Sequence, residues 1–100
     1  MNKTFTMTHP KIKVPRLFEA AKSEIRKYVK RERRRELPEG VDYWDFDCKF
    51  GDSEAEAKEI HLSEITARIT DAEARGLTSF YVEVWAKPGQ RATKPGPEDE

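Results

Sequence analysis

The hydrophobic period of this chain switches repeatedly between two values, and those switches limit which elements it can form. In Lys3–Thr8, Phe5 and Met7 alternate with Thr4, Thr6 and Thr8, the period of a half-buried strand. His9-Pro10 ends that pattern, because proline gives no N–H to a ladder and restricts the residue before it. From Val14 to about Glu36, the apolar positions Leu17, Phe18, Ala21, Ile25, Tyr28 and Val29 recur every three or four residues. At about 100° per residue they form one helical face. Pro15 suits the first turn, and Leu37-Pro38-Glu39-Gly40 stops the helix.

The shorter period returns in Val41–Phe50. Trp44, Phe46, Cys48 and Phe50 share one face, and Tyr43, Asp45, Asp47 and Lys49 the other. Gly51-Asp52-Ser53 signals a turn. Glu56–Leu62 is a weaker strand pattern with Ile60 and Leu62 inward, or an early start to a second helix. Ser63 fits an N-cap, Leu62, Ile65, Ile69 and Ala72 make a helical stripe, and Gly76 fits a left-handed residue after the helix. Thr78–Ala86 is the clearest strand, with Phe80, Val82 and Val84 on one side and Tyr81, Glu83 and Trp85 on the other.

The expected order is β-α-β-β-α-β. It implies an α+β, ferredoxin-like two-layer sandwich, with two helices on one face of a four-stranded antiparallel sheet. The first and third strands are central in that arrangement. Without the third strand, a three-stranded α+β sandwich is the fallback. A chain of 100 residues makes one domain, expected over residues 1–87. Residues 88–100, rich in Pro and Gly, are expected to form a disordered tail. Hydrophobic content of 36% against 38% charged implies a compact core under a charged surface, with no large internal active-site cavity. The single Cys48 excludes an intrachain disulfide and points to a reducing cytoplasm. No apolar stretch resembles a signal peptide or membrane span, so no membrane partner is expected.

Charge is sorted by position. Residues 1–37 hold twelve Lys/Arg against four Asp/Glu, and residues 38–86 reverse this to four against twelve. The basic half peaks in Arg26–Arg35, where seven of ten residues are cationic. A helix dipole favours cations only over its last turn, so capping does not account for seven. The expected use is contact with RNA or another polyanion through Arg26, Lys27, Lys30, Arg31, Arg33 and Arg34. The alternatives are a solvated helix face and an acidic protein partner. Lys11–Arg16, Lys87, Arg91 and Lys94 extend the footprint, and Glu98, Asp99 and Glu100 oppose it.

The sheet face lacks the aromatics with which RNA-binding domains of this topology stack bases, since the first strand offers only threonines and the third offers Glu59 and His61. Asp45, Asp47, Glu59 and Glu83 would repel phosphate there. A hairpin pairing Phe46 with Ile60 would set Asp45 opposite His61 and Asp47 opposite Glu59, which could hold a cation or tune the imidazole. Ordinary polar cross-strand pairs explain these residues better, so no metal, cofactor or catalytic residue is assigned, and an enzyme is the least favoured class. Tyr43, Tyr81 and Trp85 share the outward face and suit a protein interface or a homo-oligomer. Cys48 reads as a core residue and His9 as a turn residue.

Three blocks, Thr8–Arg16 (THPKIKVPR), Leu37–Gly51 (LPEGVDYWDFDCKFG) and Ser79–Gly89 (SFYVEVWAKPG), resemble a family of small bacterial proteins of unknown function, about the length of this chain. The resemblance spans most of the sequence apart from its extreme C-terminus. It implies a bacterial cytoplasmic protein and brings no activity, cofactor or site residue with it.

Overall fold

The computed structural model describes residues 1–90. The elements are β1 (Asn2–Thr6), α1 (Val14–Arg33), β2 (Tyr43–Gly51), β3 (Lys58–Ile60), α2 (Ile65–Ala74) and β4 (Ser79–Gly89), with single 3₁₀ turns at Glu54–Glu56 and Leu62–Glu64. The β-α-β-β-α-β order and the antiparallel four-stranded sheet match the expectation. Its strand order does not, because the sheet runs β1-β4-β2-β3. The central strands are therefore β4 and β2, where a ferredoxin-like sheet would centre β1 and β3. Polarity explains the difference. The strand β3 is only Lys-Glu-Ile, and β1 has one buried side chain, Phe5. β4 buries Phe80, Tyr81, Val82 and Val84. Strands poor in buried apolar residues belong at edges.

Both helices turn an apolar stripe to one face of the sheet. Helix α1 buries Phe18, Ala21, Ile25 and Val29, and α2 buries Ile65, Ile69 and Ala72. They close over Phe5, Phe46, Cys48, Phe50, Phe80, Val82 and Val84. At the centre, the ring of Phe80 stacks on Phe5, Phe18 and Phe50 at 5.3, 5.9 and 5.4 Å between centroids. One ring thus ties β1, α1 and β2 to β4.

The local signals account for most element ends. Pro15 lies in the first turn of α1. That helix ends at Arg33, before the Leu37-Pro38 stop, and the indole N–H of Trp44 donates to the Arg35 carbonyl at 3.0 Å. Gly76 has φ 72° and the N–H of Leu77 returns to the Ala72 carbonyl, closing α2 as expected. At its other end Glu64, not Ser63, holds the N-cap position and makes no side-chain cap bond to α2; its carboxylate instead accepts the His61 N–H at 3.4 Å across the preceding 3₁₀ turn. The Lys11 N–H donates to His9 Nδ1 at 3.0 Å, so His9 serves the turn before α1.

Two expectations change at the strand ends. β4 runs through Pro88 and Gly89, past the expected boundary at residue 87. The rest of the tail, residues 91–100, lies outside the described residues. The segment Glu56–Leu62 keeps only three residues as strand, between two 3₁₀ turns. Because β3 is short, Tyr43–Asp47 pairs with β4 alone.

Candidate polyanion-binding cleft

That shortened strand opens a cleft of about 830 Å³ between α1, the start of β2 and the junction before α2. Arg26, Lys30, Arg33 and Arg34 form its helical wall. Trp44 and Phe46 line it from the sheet, Tyr43 and Asp45 stand beside them, and His61, Leu62 and Ser63 complete the opposite side. The rings are held by cations as well as by packing. The Arg33 guanidinium lies 5.6 Å from the Phe46 ring centre, and that of Arg35 lies 4.8 Å from Trp44.

Helical geometry divides the six predicted nucleic-acid-binding residues. Setting Ile25 at the core, Arg26, Lys30 and Arg33 fall about 80–140° round one flank, while Lys27 and Arg31 fall about 200–240° round; Arg34, the C-cap just past the helix, lines the cleft as well. Lys27 and Arg31 accordingly border β1 with Met1, Lys3, Glu24 and Tyr28, away from the cleft. Arg31 stacks over Tyr28 at 5.4 Å.

Most cations elsewhere in the fold have carboxylate partners. Lys3 pairs with Glu24, Lys22 with Glu19, Arg35 with Glu32, Arg68 with Glu64 and Lys87 with Asp47. Arg75 bridges Asp52 and Asp71. Among the described residues, none of Arg26, Lys27, Lys30, Arg31, Arg33 and Arg34 forms an ion pair. Lys11, Lys13, Arg16, Lys49 and Lys58 likewise form none, but four of the six, Arg26, Lys30, Arg33 and Arg34, share a concave wall, which concentrates their field.

The expected Asp45–His61 and Asp47–Glu59 pairings do not form. The 3₁₀ turn Glu54–Glu56 closes the hairpin with Phe50 opposite Lys58, which puts Cys48 opposite Ile60 and Lys49 opposite Glu59. The register is two residues away from the expected one. Asp45 instead accepts its neighbour's N–H, from Phe46, at 2.8 Å, and Asp47 takes Lys87 at 2.7 Å. Cys48 is buried, and that burial, with Asp47 and Asp45 adding to it, pushes its thiol pKa up to about 11.

On the open sheet face, Trp85 is 47% and Tyr43 39% exposed, but Tyr81 is only 3% exposed. Tyr81 has the predicted outward parity and lies opposite Gly51. A Cβ on Gly51 would sit 2.6 Å from the Ala57 backbone, so the segment after β2 folds back over this corner and covers the ring. Tyr81 therefore drops out of the expected protein-interface set. Its hydroxyl donates to Glu83 at 2.7 Å and the Trp85 indole donates to the same carboxylate at 3.1 Å. These bonds, Tyr81's first, hold the Glu83 pKa below the ordinary carboxylate value.

Sequence periodicity assigned Trp44 and Phe46 to the core and did not mark them as cleft residues. The signal that marks them is the brevity of β3, which leaves the first half of β2 paired on its β4 side alone. No helix among the described residues is long and apolar enough to cross a membrane.

The fold and site together define a small α+β domain with a cation-walled, aromatic-lined cleft beside an open strand. The chain belongs to DUF6172, a family of unknown function whose model matches residues 1–95, in keeping with the resemblance in its three sequence blocks. No curated protein and no solved structure matches it.

Proposed function

We propose that this protein is a non-enzymatic binding module that takes a polyanion, RNA or a ribonucleoprotein foremost, against the cationic wall of the cleft. The observation carrying this reading is that Arg26, Lys30, Arg33 and Arg34 converge on one cleft, outnumber its single carboxylate, Asp45, and form no ion pair among the described residues. Guanidinium groups suit phosphate oxygens through their forked donors. A reducing bacterial cytoplasm fits the single buried cysteine. The test is purification from cells at low salt, followed by absorbance at 260 and 280 nm and sizing of the complex. Co-purifying nucleic acid released by salt supports the reading, and clean protein at low salt refutes it.

A second reading, homodimerisation or binding of another protein through the sheet face, is supported by the exposure of Trp85 and Tyr43. Such an association would persist in sedimentation at moderate salt, where phosphate contacts weaken.

A further inference from the structure

We propose that the ligand of the cleft is single-stranded nucleic acid, with one unpaired base seated against the open edge of β2. This rests on the polyanion reading above and names the class of strand.

Ladder parity shows what that edge offers. The Val84 N–H goes to the Met1 carbonyl at 2.8 Å, so Val84, Ala86 and Pro88 direct their main-chain groups toward the β1 side. Their partners in β2 are Cys48, Phe46 and Trp44. In an antiparallel ladder both members of such a pair turn away from one another, so these three residues direct N–H and C=O away from β4. Pro88, opposite Trp44, has no N–H to give, which agrees with this parity. Cys48 meets Ile60 of β3. Beyond it the neighbour is missing, and the Phe46 N–H is taken by the Asp45 carboxylate at 2.8 Å. By this parity the N–H and C=O of Trp44 face the cleft side without a strand partner among the described residues.

An adjacent donor and acceptor is what the pairing edge of a nucleobase requires. In a duplex that edge is occupied by the complementary base; in a single strand it is free. The half-buried Trp44 ring lines the same cleft and supplies a stacking surface, with Tyr43 at its rim. The phosphates on either side then meet Arg26, Lys30, Arg33 and Arg34 across the gap. The volume of about 830 Å³ is that of a site for a small ligand, enough for a base with its sugar and phosphate.

The test uses the full chain with Trp85→Phe, which leaves Trp44 as the one tryptophan, its fold checked by circular dichroism. Four probes of equal length and matched charge per strand are titrated at low salt: oligouridylate, its duplex with oligoadenylate, an abasic sugar-phosphate strand, and inorganic polyphosphate. The expected result is that oligouridylate quenches Trp44 and binds about tenfold or more tighter than the abasic strand, while duplex and polyphosphate bind weakly without quenching. An oligodeoxyuridylate arm separates RNA from DNA, and preference for either sugar supports a single-strand site. Equal binding of the abasic strand or the duplex overturns the base seat and leaves the polyanion reading standing. Absence of binding by all probes overturns both.

Discussion

Neutralising two residues of the cleft wall should change the salt dependence of binding by a calculable amount. For a single strand, the logarithm of affinity falls with the logarithm of salt by about 0.7 for each phosphate neutralised. Four wall cations, Arg26, Lys30, Arg33 and Arg34, then give a slope of about −2.8. Raising potassium chloride from about 50 to about 200 mM should weaken wild-type binding about fiftyfold. The double variant Arg33→Gln/Arg34→Gln keeps two cations, so its slope should be about −1.4 and its loss over the same range about sevenfold. Neither residue forms an ion pair. The structural cost then comes from the Arg33–Phe46 stack, about 0.5–1 kcal/mol, and from the loss of a last-turn cation, about 0.3–1 kcal/mol. The matched control is Lys27→Gln/Arg31→Gln, which removes the same charge from the opposite flank and should keep the slope near −2.8. Fluorescence anisotropy of a labelled oligouridylate across the salt series measures all three. Equal slopes for the two double variants would refute the cleft as the seat of binding, because diffuse attraction to a basic helix does not distinguish its flanks.

Gly51→Ala should destabilise the fold by about 1–3 kcal/mol through overpacking, since the new methyl meets the Ala57 main chain at 2.6 Å. Thermal unfolding should show it as a fall of about 4–8 °C per kcal/mol, and an unchanged melting temperature would contradict the close approach. Cys48 should resist a thiol reagent at pH 8 in the native state and react fully in denaturant, because burial holds its pKa up to about 11. The same shift implies that stability declines as pH rises above the unfolded thiol's value, where the unfolded chain ionises first and the native thiol stays protonated. On the acid side, Asp52 is held low by its bonds to Arg75, Glu64 by the His61 N–H and then Arg68, and Glu83 by Tyr81 and Trp85. These carboxylates contribute stability above their unfolded values, lost as pH falls through their lower native ones. Asp52→Asn should flatten the acid limb of a melting-temperature profile, and an unchanged limb would show that the Arg75 bridge is not formed in solution.

The elements were legible because each buries its own stripe. Phe18, Ala21, Ile25 and Val29 declare α1 without reference to any neighbour, and the alternation from Trp44 to Phe50 does the same for β2. Strand order was misread: the ferredoxin-like expectation centred β1 and β3, although the polar Lys-Glu-Ile of β3 and the threonines of β1 suit edges, and Tyr81, read as outward, is buried with its apolar neighbours in β4. The hairpin register was not legible, because it depends on how a 3₁₀ turn packs against Gly51, a contact between backbones that side-chain patterns do not encode. The cleft follows from that same hidden fact. The basic residues announced themselves as a charged helix, but their division into two flanks, and the aromatic wall facing one of them, appear only once β3 stops at Ile60 and leaves the start of β2 bare.

The placement of β4 also has a consequence during synthesis. β1 has β4 as its one sheet neighbour, and the two lie at opposite ends of the described chain. At about 5–20 residues per second, a nascent β1 waits several seconds before its partner is made. Throughout that interval Phe5 and Met7 have no sheet to join, and β2 has only the three residues of β3 for company. The last strand to emerge is the one that joins the two edges into a sheet, so the native fold closes late and all at once, with Phe80 arriving among three rings that precede it.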